Sequence, residues 1–243
     1  MQTLREHYLN LTIYSSSEKA VTLQFGHDIS ADLLLQVTTV NQLIQNNPFP
    51  GLITTVPAYS TLTVYYNPLQ VFKSTLNGLN GFQKVSNYLL SLNVPEHQSI
   101  ITTKPPVIIP VCYGGEYGPD LDEVAAMHRL SPEAVVNLHS AGTYTVYMVG
   151  FVPGFAYLGG MDKSLASPRK STPRAAIPAG SVGIAGEQTG VYPLQTPGGW
   201  QIIGRTSLSM FDAHRAQPSL LKAGDLVQFK PITVKEFNPY QPI

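Results

Sequence analysis

Three arginines and one histidine carry most of the chemistry this sequence offers. Arg169 and Arg174 each follow a proline, in the run Pro168-Arg169-Lys170-Ser171-Thr172-Pro173-Arg174. Proline sets its own φ and pushes the preceding residue toward extended backbone, so this run is not a solvated helix face. A guanidinium presents a rigid fork of donors that matches a carboxylate or a phosphate. Between residues 149 and 205 five cations (Lys163, Arg169, Lys170, Arg174, Arg205) face two acids (Asp162, Glu187), a local positive excess in a chain of zero net charge. The run is either an anion-binding loop or ordinary surface charge. His139 falls in the last turn of an expected short helix. It is either satisfied by that helix's terminal carbonyls or a polar group aimed at a ligand beside the next strand.

The same stretch concentrates aromatic and amide groups. Phe151, Phe155, Tyr157, Tyr192 and Trp200 could wall a pocket, with Gln188, Thr189 and Gln195 fixing polar groups inside it. Three Pro/Gly units, Pro153-Gly154, Pro178-Ala179-Gly180 and Pro197-Gly198-Gly199, predict tight turns. Glycine at such places allows a ligand close to backbone N–H groups, and it serves equally as a barrel corner or bulge. The intervening runs at 181–185, 190–194 and 200–204 read as short strands. Many short strands separated by turns predict a closed or nearly closed β-barrel.

Those residues must be positioned by the elements around them. Residues 8–14 and 20–25 alternate apolar and polar as strands do, with a turn at 15–19. Ser30 reads as an N-cap for a helix carrying Leu33, Leu34, Val37, Val40 and Ile44, stopped by Pro48 and Pro50. A hairpin follows at 51–57 and 61–66, then a helix over 69–92 with Gly78 and Gly81 as points of interruption. This order predicts an α+β sandwich of two layers. Lys104-Pro105-Pro106 is a stiff connector, which places a boundary between an α+β N-terminal domain (1–103) and a second domain (104–243). The second domain opens with a strand at 107–112 and a Gly-rich turn at 113–119. Asp120 caps a helix over 121–129, and Ser131-Pro132-Glu133 starts another ending near Gly142. Residues 143–149 form the strand that leads into the central stretch.

Bulk properties exclude several classes. Charged residues are 12% of the chain, against about 25% in an ordinary soluble domain, which points to a surface partly covered by a partner. Zero net charge argues against nucleic acid. One cysteine, Cys112, excludes an internal disulfide framework and suits a reducing compartment. No apolar run approaches the ~20 residues of a membrane span, and the N-terminus lacks a signal-peptide pattern, so a cytoplasmic location is expected. Gly159-Gly160-Met161-Asp162-Lys163-Ser164 is not a phosphate-binding P-loop. No Cys/His metal pattern, nucleophile elbow or dinucleotide fingerprint occurs. Composition and spacing stop at a small anionic-ligand pocket on a β-rich domain.

The runs GFVPGFAYLGG (150–160), SPRKSTPRAAIPAGSVGIAGEQTGVYPLQTPGGWQIIGRT (167–206) and MFD (210–212) resemble the family of B-type subunits of bacterial 5-oxoprolinase. That family includes the kinase inhibitor KipI and the first subunit of allophanate-hydrolase-type proteins, and it is related to the carboxyltransferase part of urea carboxylase. VTLQFG (21–26) and VPAYSTLTVYYNP (56–68) extend the likeness into the first half, with Asn67 standing where the family has Asp. The resemblance implies an α+β N-terminal domain followed by a cyclophilin-like β-barrel C-terminal domain. It implies a hetero-oligomer with a C-type partner, and an A-type protein that acts with this pair to open 5-oxoproline to L-glutamate, with ATP as co-substrate and no metal. The B-type and C-type pair would activate the lactam by phosphorylation. Carried over residue by residue, the pocket falls on His139, Phe151, Pro153, Gly154, Phe155, Tyr157, Arg169, Arg174, Pro178, Gly180, Ser181, Gln188, Thr189, Gly198, Gly199, Trp200 and Arg205. In that reading Arg169, Arg174 and Arg205 clamp the anion, His139 is the general acid or base, and N–H groups at Gly154 and Gly180 stabilise an oxyanion. Two alternatives stand: an inhibitor of a sporulation-type histidine kinase, and a component of a urea or allophanate pathway.

Overall fold

Residues 2–4, 11–94 and 105–237 are described by the computed structural model, in which the chain divides into units spanning Met1–Ile101 and Thr102–Ile243. In the first unit a short strand, β1 (Gln2–Thr3), precedes β2 (Thr12–Ser17), β3 (Ala20–Gln24), helix α1 (Ala31–Asn46), β4 (Leu52–Pro57) and β5 (Thr61–Tyr66). Helices α2 (Pro68–Lys73) and α3 (Gly81–Leu90) follow, and β6 (Asn93–Val94) pairs back onto β1. The sheet is antiparallel in the order β2-β3-β5-β4. Leu34, Val37, Val40 and Ile44 of α1 are buried, and Val85 and Leu89 of α3 join the same core as Val21, Leu23, Leu62 and Val64 of the sheet.

Local signals set these ends. Ser30 caps α1 by accepting from the Leu33 N–H, and satisfying one orphan donor in this way stabilises a helix start by about 1 kcal/mol. The single helix expected over 69–92 is two. Asn67 caps α2 and Asn80 caps α3, and Gly78 between them has φ +149°, a conformation no helix contains. Strand β2 runs on to Ser17, so the turn shrinks to Glu18 and Lys19. The start of the expected first strand (8–10), Lys104 of the connector and the boundary at 103/104 lie outside the described residues.

The second unit begins with β7 (Val107–Tyr113), α4 (Leu121–His128), α5 (Pro132–Ala141), β8 (Tyr144–Val149) and β9 (Ala156–Gly159). After a 3-10 turn at Lys163–Leu165 come β10 (Arg174–Ile177), β11 (Ser181–Ala185), β12 (Gln188–Val191), β13 (Thr196–Gly198), β14 (Gln201–Arg205) and β15 (Leu226–Ile232). Seven strands close a barrel in the order β11-β12-β9-β8-β15-β7-β14, with β14 returning onto β11. The β7–β15 pair is parallel and the others antiparallel. Ile109, Val111, Val146, Leu158, Val182, Ile184, Val191, Ile203, Val227 and Phe229 fill the interior, each contributing roughly 1.5–3 kcal/mol of burial. The pair β10–β13 stands apart as a two-stranded ribbon.

Register brings the turns together. Ser181 pairs Arg205, Val182 pairs Val191, and Ala156 pairs both Val191 and Val149. The turns at 150–155, 178–180 and 192–195 and the chain after Arg205 therefore meet at one rim of the barrel.

Candidate functional site

Tight backbone approaches build that rim. Gly180 has φ +81°, and a Cβ there would lie 2.1 Å from the Thr206 carbonyl oxygen. Its N–H donates to the Tyr192 carbonyl (2.7 Å), and its carbonyl accepts from the Thr206 N–H (2.9 Å). Gly154 has φ +84°, and its missing Cβ makes room for Phe211 and Pro193. Only glycine fits where both a left-handed φ and a neighbouring backbone are imposed. A cavity of about 660 Å³ opens beside these turns, lined among others by Gly180, Leu194, Arg205, Ser207, Ser209, Phe211, Asp212 and His214. The Arg205 guanidinium is steadied by an Nε bond to the Ala179 carbonyl (2.8 Å). Among the described residues no hydrogen bond or ion pair engages its terminal nitrogens, so the four N–H donors of Nη1 and Nη2 remain for a ligand.

Arg174 is occupied differently. It makes a bidentate pair with Asp120, Nη1 to Oδ2 at 2.8 Å and Nη2 to Oδ1 at 2.6 Å. Lys170 Nζ lies 2.9 Å from the same Oδ1 and 2.7 Å from Glu123, and the Ile202 N–H donates to Oδ2 at 2.7 Å. Asp120 is 2% exposed. Burial pushes its carboxyl upward, but the hydrogen bonds from Arg174, Ile202 and Lys170 outweigh that and hold it below its ordinary value. Asp120 occupies the N-cap position of α4 yet makes no side-chain cap bond, because its oxygens are turned to these cations. The expected open clamp at Arg174 is thus an internal ion pair.

His139 lies inside the barrel with no exposed surface. Nδ1 is 2.8 Å from the Tyr113 hydroxyl and Nε2 is 2.9 Å from Thr189 Oγ1. Thr189 donates its one hydroxyl proton to the Gly183 carbonyl (2.9 Å). It therefore accepts from Nε2–H, which leaves Nδ1 as acceptor for Tyr113. Burial lowers the imidazole to about 3, so the ring is neutral with both nitrogens engaged. The expected general acid or base at 139 has no proton within reach of a ligand as the ring is placed. His139, Thr189 and Tyr113 form a polar strut, and the Tyr144 hydroxyl donates to the His139 carbonyl (2.6 Å).

The aromatics collect on the outer barrel face. Gly183 and Gly190 pair across β11 and β12 and alternate with inward Val182, Ile184 and Val191. Side chains on Gly190 would meet Phe155 and Trp200, so these two glycines form a shallow seat for the rings. Phe155, Tyr192 and Trp200 pack edge to face there, and Phe155 also meets Tyr157 at 4.7 Å. Phe151, at φ +72° and 62% exposed, touches Phe155 from the turn. A bulky residue held in the left-handed region without burial marks stored strain. Arg169 is exposed near this shelf, on a loop fixed by Lys170 N–H to Gly199 O (2.7 Å) and Gln201 Nε2 to Pro168 O (3.1 Å).

The pocket residues read from the sequence thus divide. Gly154, Gly180, Ser181 and Arg205, with exposed Pro153 and Pro178, belong to the rim. Phe151, Phe155, Tyr157, Arg169, Gly198, Gly199 and Trp200 belong to the outer shelf and the loops beside it. His139 and Thr189 lie in the interior, with Gln188 half-buried next to them in β12. Sequence reasoning missed Ser207, Ser209, Phe211, Asp212 and His214 of the cavity. Their signal was a polar, strand-free run directly after the arginine that ends β14. It also missed Asp120 as an ion-pair centre, since an acid before a helix has a ready local explanation. Among the described residues no cluster of three or more metal-ligating side chains occurs, and no helix is long and apolar enough to cross a membrane.

The family model for the carboxyltransferase domain, subdomain C and D, matches residues 11–221. The chain belongs to this carboxyltransferase-domain family. Within it, the chain is 46% identical over 225 residues to a Bacillus subtilis protein named as the B-type subunit of 5-oxoprolinase, covering 92% of this chain and 94% of that one. A Haemophilus influenzae protein of the same name is 40% identical over 219 residues, covering 90% and 97%. The crystal structure of TTHA0988 superposes with a TM-score of 0.77 at 35% identity, covering 92% of this chain and 41% of that one. The chain therefore spans about two fifths of that longer solved protein.

Proposed function

We propose that this chain is one component of an ATP-dependent 5-oxoprolinase that converts 5-oxoproline to L-glutamate together with C-type and A-type partner proteins. Relatives at 40–46% identity over at least nine tenths of the chain bear the name of the 5-oxoprolinase B-type subunit, which supports this reading. The geometric observation that carries it is Arg205, anchored through Nε beside a cavity of about 660 Å³ with its terminal donors open. A five-membered lactam acid presents one carboxylate, one carbonyl and one ring N–H. Arg205 takes the carboxylate as a bidentate partner, and Ser207 offers a hydroxyl to the ring carbonyl. Ser209, whose proton goes to the Phe211 carbonyl (3.0 Å), accepts from the ring N–H, while Phe211 and Leu194 cover the ring methylenes. ATP binding and lactam phosphorylation are completed with the C-type partner, and this chain alone is inactive.

The test is reconstitution. The three proteins are mixed, and ATP-dependent glutamate formation from 5-oxoproline is measured. Arg205→Ala is expected to raise KM for 5-oxoproline about 10- to 100-fold, since a hydrogen bond to a charged group contributes about 1.5–3 kcal/mol. Glutamate formation at full rate without this chain, or an unchanged KM in Arg205→Ala, overturns the reading. Inhibition of a histidine kinase by the isolated chain would place it with the regulators instead.

A further inference from the structure

The loop at 168–174 has an unusual construction for an exposed segment. Prolines at 168 and 173 restrict it, and it is tied at both ends and in the middle. Pro168 O accepts from Gln201 Nε2 (3.1 Å), Lys170 N–H donates to Gly199 O (2.7 Å), and Lys170 Nζ and Arg174 converge on the buried Asp120 carboxylate. Asp120 is in turn fixed to the barrel through the Ile202 N–H (2.7 Å). Two of the loop's three cations are thereby neutralised. The third, Arg169, is exposed, and among the described residues no hydrogen bond or ion pair engages it. It stands between the anchors at 168 and 170, near the Tyr157 and Tyr192 rings. Burial raises both phenols, and the positive charge of Arg169 offsets part of that rise.

A loop that buries an acid solely to hold itself has no need of an unpaired arginine at its best-anchored position. We propose that Asp120 is a positioning residue that clasps residues 168–174, so that Arg169 is held ready as an oxyanion-binding group on the outer barrel face beside Tyr157. The ligand chemistry is a phosphate-type oxyanion, free or as part of a larger molecule, reaching a site distinct from the Arg205 cavity. The clasp removes in advance the ordering cost of a flexible cation, which is how preorganisation strengthens binding. The inference rests on the proposed function only in taking this stretch to face an anionic ligand.

The experiment uses the full chain without partners, so that failed reconstitution and failure of this inference are separate results. Arginine Nε–H signals are followed by NMR during titration with inorganic phosphate and pyrophosphate, with Arg169→Ala assigning the Arg169 signal. The expected result is a saturable shift at Arg169 whose Kd rises about tenfold in Asp120→Asn, while in that variant the ligand-free Arg205 Nε–H signal, bonded to Ala179, keeps its wild-type position. Loss of structure would move both signals, so selective loss identifies positioning. Phosphate or pyrophosphate that leaves Arg169 unshifted, or shifts it equally in the wild type and Asp120→Asn, overturns the proposal. Should Asp120→Asn fail to fold, Glu123→Gln removes only the outer partner of Lys170. It is expected to weaken phosphate binding at Arg169 by a smaller factor and to speed amide exchange at Lys170. Unchanged binding in that variant overturns the proposal equally.

Discussion

His139 shows how much a residue's role depends on its surroundings. An imidazole on the surface titrates near neutrality, but here burial lowers it to about 3 from an ordinary 6.5. The unfolded chain then binds a proton that the folded chain refuses. Stability from this group is complete above pH 6.5 and is lost as pH falls from 6.5 toward 3, by up to about 1.4 kcal/mol per pH unit. Thermal melts between pH 7 and 4 are expected to show that decline, and His139→Gln is expected to flatten it. Asp120 acts in a lower window. Its carboxyl sits below the ordinary 3.8, so its contribution is present above 3.8 and is lost as pH falls through the folded value. Asp120→Asn leaves Arg174 and Lys170 without their shared counter-charge. Breaking a buried pair costs about 3–5 kcal/mol, and the partial exposure of both cations puts the expected loss near the lower figure, readable by denaturant titration.

At the scale of elements, turns shape most of the candidate rim, and the ends of strands β11 and β14 supply Ser181 and Arg205. Gly180 combines φ +81° with a backbone oxygen 2.1 Å from where a Cβ would sit. Gly180→Ala is expected to destabilise by at least about 2 kcal/mol, adding a clash with backbone to the left-handed cost of about 1–2 kcal/mol. It is also expected to raise KM for 5-oxoproline in the reconstituted assay, because Thr206 moves with Arg205. Phe151 gives the opposite sign. It holds φ +72° while 62% exposed, so Phe151→Gly releases strain and forfeits little burial. Melting is expected to be unchanged or to shift upward by the equivalent of about 1 kcal/mol. If the exposed ring serves ligand or partner contact, activity falls in the same variant, and that split between stability and activity is the observable.

For the whole molecule, a charge content of 12% and relatives named as one component of a multi-subunit enzyme support an assembly. Light scattering of this chain mixed with a C-type partner protein is expected to give a species heavier than either alone, and two separate peaks would count against it. Most helix starts, five of the seven barrel strands and the closure of the barrel were legible in the sequence, whereas β9 and β15 were not. Ser30, Ser131 and the Pro/Gly units act within a few residues, so their signals survive without tertiary context. Residues 69–92 misled for a related reason. Apolar spacing continues across Gly78, but Asn80 begins a new helix there, and a cap competes with periodicity at short range.

Which polar groups are open to a ligand was not a local property. Arg169 and Arg174 sit in matching Pro-Arg contexts, yet Asp120, fifty-four residues upstream, takes Arg174 and leaves Arg169. His139 and Thr189 are fifty residues apart and become one buried pair only when the barrel closes. Residue types and spacing sufficed for most of the elements and for marking a cation-rich stretch, because propensity, capping and charge act along the chain. The division into rim cavity, outer shelf and buried strut came from register and closure, which decide across long separations which side chain meets a partner and which is left to bind.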